Sequence, residues 1–323
     1  MKKILKLKPH TFLLVILILL IIGVIWQELM VNSEKNQYTA VGNHVDVGSY
    51  NAHYYTKGSG NTIFVFISGA GTPCAYTDYY YLQNELSKYG QTISFDHAGL
   101  GWSSKTNAKR DIDSITDELS IIINTVSKKN KVVLIAHSLG SLEAIRYTQR
   151  NSERVLGIVF LDAGSPEFYS KDSELKSFAL NRTLAAFRVT GVNRLFGELD
   201  VLLPMYGESM RYKKLPQSVR EIDKAMYYRY TGSYSNFKNI IYINENAEKV
   251  LDGKLLGNIP ILILSSDAGS LWRQVQEQLA RWSDNSQQIM IDNGAHYLYW
   301  SNTEDVIKYI DTFLKGIPIH MGL

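Results

Sequence analysis

Ser138 lies where a short chain segment could turn a hydroxyl into a nucleophile. Residues 131–140 read K-V-V-L-I-A-H-S-L-G. Val132, Val133, Leu134 and Ile135 form an apolar run suited to a strand buried on both faces. The following S-L-E-A-I-R-Y has the apolar spacing of a helix packed against that strand. Ser138 therefore falls at the corner, with small neighbours at Ala136 and Gly140 that let strand and helix approach, and its hydroxyl faces the positive end of the helix. A serine at a helix start also serves as an ordinary N-cap. A serine becomes a nucleophile only when a base can take its proton and an acid orients that base. Three candidates stand just beyond apolar, strand-like runs: Asp162 after residues 155–161, Asp267 after residues 259–264, and His296 after residues 287–291.

The elements that must position them alternate. Residues 62–67, T-I-F-V-F-I, predict a strand that runs into S-G-A-G-T-P, whose glycines let backbone amides turn toward one point. A Tyr-rich helix over 76–86, a strand over 91–95, a helix with an apolar stripe over 111–126, the strand and helix around Ser138, and the strand over 155–161 follow. Before them, residues 44–50 and 52–56 predict an antiparallel edge pair. After residue 258 come a strand over 259–264, a helix over 271–282, a strand over 287–291 and a helix over 303–313. Short strands alternating with helices predict an α/β fold with a mostly parallel sheet flanked by helices. In such sheets ligands bind beyond the carboxyl ends of the strands, where the Gly-rich loop, Ser138 and Asp162 all fall.

Residues 163–258 break this rhythm. Helices are predicted near 173–189, 218–229 and 236–249, with scattered tyrosines that include Tyr206, Tyr212, Tyr227, Tyr228, Tyr230, Tyr234 and Tyr242. A connection this long is not expected to be unstructured, and a helical cap over the site is the economical reading. Packing between cap and core accounts for most of the tyrosines. Arg188, Arg194 and Arg211 are cationic candidates for an acidic substrate group, although arginine on a helix is generally solvated.

The N-terminus is of another kind. Lys2, Lys3, Lys6 and Lys8 precede an apolar run from Phe12 to Trp26, the pattern of a membrane-inserting signal with its start in the cytoplasm. An uncleaved single-pass anchor with an extracytoplasmic catalytic domain, or a signal removed to release a secreted protein, both fit, with residues 1–30 as the signal and 31–43 as a linker. The chain has 34 basic and 31 acidic residues, and setting aside those four lysines brings the two close to balance. The slight basicity is thus a targeting feature, and a nucleic-acid partner is excluded. With one cysteine, Cys74, no intrachain disulfide forms. His10, His44, His53 and His320 form no metal-ligand pattern with the acids, and no cofactor is expected.

The A-H-S-L-G turn resembles the G-x-S-x-G nucleophile elbow of the alpha/beta-hydrolase family, with Ala136 for the first glycine. D-H-A-G-L-G-W-S at 96–103 resembles the D-x-x-G-x-G-x-S loop of its capped members, with His97 where Arg is frequent. The order Ser138, Asp267, His296 is the family's nucleophile, acid, base order. The resemblance implies an alpha/beta-hydrolase fold with an eight-stranded sheet, a core over 44–162 and 259–315, and a helical cap over 163–258. It implies Ser138 as nucleophile, His296 as base and Asp267 as acid, with Asp162 the alternative acid because some relatives place theirs after the earlier strand. It also implies an oxyanion hole from the amides of Ala70 and Leu139, with Ser68 replacing the family's usual histidine in the first loop.

A serine at the elbow argues against the dehalogenase and epoxide-hydrolase branches, which use Asp there. The expectation is a serine hydrolase acting on a small-molecule or lipid carboxylic ester. A prolyl-type aminopeptidase or amidase is the alternative and would need acids such as Glu208, Glu221 or Asp223 turned to the substrate amine. A non-catalytic surface binding protein on the same fold is the third reading.

Overall fold

The computed structural model describes residues 8–199, 211, 213–267 and 269–318. Lys2, Lys3, Lys6, Tyr206, Glu208, Tyr212 and His320 lie outside them.

Eight strands form one sheet: β1 (Asn43–Asp46), β2 (Asn51–Lys57), β3 (Thr62–Ile67), β4 (Gln91–Phe95), β5 (Lys131–His137), β6 (Val155–Leu161), β7 (Ile261–Ser265) and β8 (Ser286–Met290). Their spatial order is β1-β2-β4-β3-β5-β6-β7-β8. The edge pairs β1/β2 and β2/β4 are antiparallel, and every other pair is parallel. The expected alternation is therefore realised, and the chain reverses its direction of winding between β3 and β5, where a crevice opens.

The helices are α1 (Pro9–Gln37), α2 (Ala75–Asp78), α3 (Tyr80–Leu86), α4 (Ile112–Val126), α5 (Gly140–Arg150), α6 (Pro166–Tyr169), α7 (Glu174–Val189), α8 (Val192–Glu198), α9 (Gln217–Tyr230), α10 (Tyr234–Ile240), α11 (Ile243–Leu251), α12 (Ser270–Leu279), α13 (Leu298–Ser301) and α14 (Thr303–Lys315). Alternate residues of the central strands feed two cores, one on each face. Val132, Leu134 and Ala136 pack with Leu119, Ile122 and Ile145 of α4 and α5. Val133 and Ile135 pack with Leu82, Val306 and Ile310 of α3 and α14. Burial on both faces is why these strands read as continuous apolar runs rather than as alternation.

Helices α6 to α11 lie between β6 and β7, in the segment expected to form a cap. The last of them is integral to the body of the molecule, since Ile243, Ala247 and Val250 of α11 belong to the main core. The 236–249 helix divides in two around residues 241–242, as does the 76–86 helix around Tyr79. Polar ties fasten this segment to the core: Arg211 pairs with Asp78 at 2.9 Å and with Asp223 at 3.1 Å, all three buried, and Tyr230 donates to the carbonyl of Gly101.

The largest departure from expectation is at the N-terminus. Residues 31–37, expected as linker, continue α1, a helix long and apolar enough to cross a membrane. Nearly all of it is exposed, but Gln27, Val31 and Glu34 are buried. Arg194 of α8 explains this. Its guanidinium holds both Glu34 carboxylate oxygens and donates through Nε to Gln27 at 2.7 Å, while Gln27 donates to the carbonyl of Tyr228 at 2.8 Å. The Arg194 guanidinium also lies 4.5 Å from the centre of the Tyr228 ring.

Candidate active site

Ser138 follows β5 directly and has φ 51°, a left-handed conformation that costs a non-glycine residue of order 1 kcal/mol and persists because its surroundings impose it. Those surroundings are tight. A Cβ on Gly69 would lie 2.8 Å from Cβ of Ser138, and one on Gly140 would lie 2.7 Å from the carbonyl oxygen of Ile67. The two glycines let the β3 loop and the start of α5 close around the serine.

His296 comes from the loop between β8 and α13, and its Nε2 is 3.1 Å from Ser138 Oγ. Its Nδ1 is 2.7 Å from Oδ2 of Asp162. This contact fixes the tautomer: Nδ1–H donates to the carboxylate, leaving Nε2 to accept from the serine hydroxyl. The other Asp162 oxygen accepts from the amide of Ser266 at 2.7 Å and from Gln276. Burial raises the Asp162 carboxyl, but His296 and the Ser266 amide outweigh it and hold the group below the usual carboxylate range. Asp162 also has positive φ, 45°, at the end of β6.

The acid expected at Asp267 is thereby corrected. Asp267 is mostly exposed, with its carboxylate 3.6 Å from Arg273, and it makes no contact with His296. The reason lies in the strand order. β6 is the immediate neighbour of β5, so its end lies beside Ser138, whereas β7 is one strand further out and contributes the Ser266 amide that anchors Asp162.

Ala70 and Leu139 border the same cavity as Ser138 and His296. Among the described residues, neither of their amides donates to another protein group. Two amides that lie open beside a hydroxyl can receive a negative oxygen. The D-x-x-G-x-G-x-S loop is braced by Asp96, which accepts from the amides of Ala75 and Trp102 and contacts His53 at 2.7 Å, while Ser103 donates to the Asp96 carbonyl. His97 pairs with Glu143 at 2.7 Å, a structural contact.

The cavity has about 330 Å³ of open space and is walled on the far side by Leu180, Leu184, Tyr227 and Ile240 from helices α7, α9 and α10. Its apolar character suits an acyl group. Among the acids considered for binding an amine, Asp223 is committed to Arg211 and Glu221 does not border the cavity. Arg194 and Arg211 are likewise held in ion pairs, with Glu34 and with Asp78 and Asp223. Among the described residues, no three His, Cys, Asp or Glu side chains converge as a metal site.

Two site neighbours escaped the sequence reading. The Tyr169 phenol lies beside Ser138; burial raises its pKa and the serine hydroxyl opposes that. Ser165 caps α6 and Pro166 starts it, a signal that could have placed residue 169 facing back toward the strand ends. His137 lies under His296, ring centres 4.7 Å apart, with its Nε2 3.1 Å from the His296 carbonyl. Burial, and then the charge of His296, push its pKa from 6.5 down to about 3.

An unfolded chain therefore binds more protons at this position than the folded one between pH 6.5 and about 3, and stability falls as pH falls through that window. His53 and His97 act in the opposite sense: burial lowers both, and bonding to Asp96 and Glu143 more than reverses it. The test is thus a difference between proteins. Between pH 7 and 5, parent protein is expected to lose about 2 kcal/mol more unfolding free energy than His137→Gln, measured by denaturant titration.

Comparisons with known proteins agree with this architecture. The sequence model of the family described as alpha/beta hydrolase fold matches residues 62–303. An uncharacterized protein of Bacillus subtilis, YbdG, is 24% identical over 334 aligned residues, covering 98% of each chain. Among solved structures, a thermophilic esterase from Thermogutta terrifontis superposes with a TM-score of 0.62 at 18% identity, covering 85% of this chain and 99% of the esterase. The Cif epoxide hydrolase from Acinetobacter nosocomialis superposes at 0.69 and 17% identity, covering 90% of this chain and 96% of that one.

Proposed function

Because the chain belongs to the alpha/beta-hydrolase family, we propose that it is a serine hydrolase that cleaves carboxylic esters through an acyl-enzyme. The observation that carries this reading is the continuous hydrogen-bonded line from Ser138 through His296 to Asp162. In the first half-reaction, Ser138 Oγ bonds to the ester carbonyl carbon as His296 Nε2 takes the hydroxyl proton. The carbonyl π electrons move onto oxygen, which the amides of Ala70 and Leu139 receive. Collapse of this adduct breaks the carbon–oxygen bond to the alcohol, and His296 returns the proton to the departing alkoxide. Water then repeats the sequence, with His296 as base, to release the carboxylic acid and restore Ser138. Asp162 holds the imidazole tautomer and stabilises its charged form. Each oxyanion donor is worth roughly 3 kcal/mol of barrier lowering in such sites.

The nucleophile's identity favours ester cleavage over epoxide opening, since the position held by Asp in epoxide hydrolases is Ser138 here. The aminopeptidase reading is weakened because, among the described residues, the acids suggested for it are committed elsewhere or lie away from the cavity. We take residues 163–258, apart from α11 which belongs to the core, as the cap over the site and α1 as a single-pass anchor, with the lysine-rich N-terminus in the cytoplasm and the catalytic domain outside.

Matched substrates test the chemistry. Full-length protein in detergent is expected to hydrolyse p-nitrophenyl butyrate with an initial burst of one nitrophenol per enzyme and to leave prolyl p-nitroanilide untouched. Turnover of the anilide but not the ester would refute the reading.

A further inference from the structure

Helices α7 and α8 are inverted relative to helices of a water-soluble surface. On α7, Leu175, Phe178, Phe187 and Val189 are exposed, whereas Asn181 is buried. On α8, Leu195 and Phe196 are exposed, as is Leu199 just after it, whereas Asn193 and Arg194 are buried. Apolar side chains outward and polar ones inward is the arrangement expected of a surface that does not face water. Among the described side chains of this stretch, Lys176 and Glu198 are the exposed charges and Arg182 and Arg188 are half-buried; Glu198 is paired with Lys224.

The depth of this surface is set by α1. Gly23, inside the apolar run, meets the turn between α7 and α8 backbone to backbone. A Cβ on Gly23 would lie 2.2 Å from the Thr190 carbonyl oxygen, and one on Gly191 would lie 2.7 Å from the Gly23 carbonyl oxygen. A hydrocarbon core needs about 20 apolar residues to span it. The run over residues 12–26 is shorter than that, so a membrane holding it takes in all of it, including the level of Gly23. At 1.5 Å per residue, the α7–α8 turn then sits about 6 Å on the lipid side of Gln27, where the buried polar contacts begin.

A second apolar groove, about 260 Å³ and bordered by Leu175, Phe178, Phe237, Ile240 and Ile241, opens on α7. It shares Ile240 with the cavity over Ser138. We infer that the α7–α8 face lies on the lipid bilayer and that the cavity receives the acyl chain of a membrane-resident ester by way of this groove. The substrate half rests on the esterase reading; the docked face does not.

The test uses the full-length protein in phosphatidylcholine–phosphatidylglycerol nanodiscs and has two independent parts. A nitroxide is placed at Leu195→Cys, and in a separate protein at Ile121→Cys on α4 as the control; Cys74 is buried and stays unlabelled. Power saturation is expected to find the Leu195 label more accessible to oxygen than to a nickel chelate and the Ile121 label the reverse. A Leu195 label as open to nickel as the control would overturn the docked face. In the second part, Val189→Asp and Leu195→Asp, which do not border the catalytic cavity, are expected to lower hydrolysis of a long-chain monoacylglycerol in the nanodisc at least tenfold. Turnover of soluble p-nitrophenyl acetate should stay unchanged, which also reports that the variants fold. No change with the bilayer substrate would overturn the proposed route. Turnover of neither ester by the parent, with the Leu195 label immersed, would refute the esterase reading and leave the docked face standing.

Discussion

Asp162→Asn is expected to lower kcat for ester hydrolysis by roughly 10⁴-fold, the scale of losing the orienting acid in a serine triad. The asparagine keeps the size of the side chain and can still accept from Ser266 and Gln276. Its amide group, however, turns a donor toward His296 Nδ1 and selects the tautomer whose Nε2 carries the proton, which cannot take one from Ser138. Asp267→Asn should leave kcat close to that of the parent, because that carboxylate is exposed and contacts only Arg273 among the described residues. Steady-state rates for both variants, with thermal melts to confirm folding, check the pair. Equal losses, or a larger loss at Asp267, would contradict the assignment.

The second large effect is expected far from the chemistry. Glu34→Ala removes the carboxylate that neutralises Arg194, and an arginine left buried without its partner costs about 3–5 kcal/mol. Helix α1 and the α7–α9 region should loosen together, because Arg194 also ties Gln27, which in turn holds Tyr228. Proteolysis of full-length protein in detergent should then cut first within residues 173–199, at sites resistant in the parent. The double replacement Glu34→Met with Arg194→Met should recover most of the lost stability, since an apolar pair of similar volume carries no desolvation penalty. A soluble form should not begin at residue 31, because that cut divides α1 and discards Gln27 while keeping Glu34. An unchanged melting temperature in Glu34→Ala would show that the buried ion pair contributes little.

Much of the fold was legible because the central strands are buried on both faces. Continuous apolar runs such as V-V-L-I at 132–135, separated by helices with apolar stripes, admit few topologies. Ser138 stands out for the same reason, directly after such a run, whereas His296 follows the half-exposed edge strand S-Q-Q-I-M and is singled out by its place in the order of the family's residues. The acid was ambiguous because two carboxylates stand at strand ends, and sequence carries no record of which strand is the nearer neighbour of β5. That information lies in lateral strand order, which returns Asp162, anchored by an amide of the loop that holds Asp267.

The N-terminal helix was misread at its far end for a different reason. Beyond Val31, residues 32–37 are polar and lack an apolar period, so nothing local calls for helix there. Their helix is supported by a partner 160 residues away, the Arg194 that bonds Glu34. The exposed apolar face of α7 and α8 was equally hidden, since hydropathy along a chain does not say which side of a helix meets protein and which does not.

The central claim is an activated serine at position 138, and a fluorophosphonate probe tests it most directly. The full-length protein in detergent, beside Ser138→Ala, is treated with the probe, and the labelled peptide is identified by mass spectrometry. The account predicts one modified residue, Ser138, and no labelling of the variant. Equal labelling of the variant, or none of folded parent protein under conditions where it still binds detergent-solubilised ester, would contradict it.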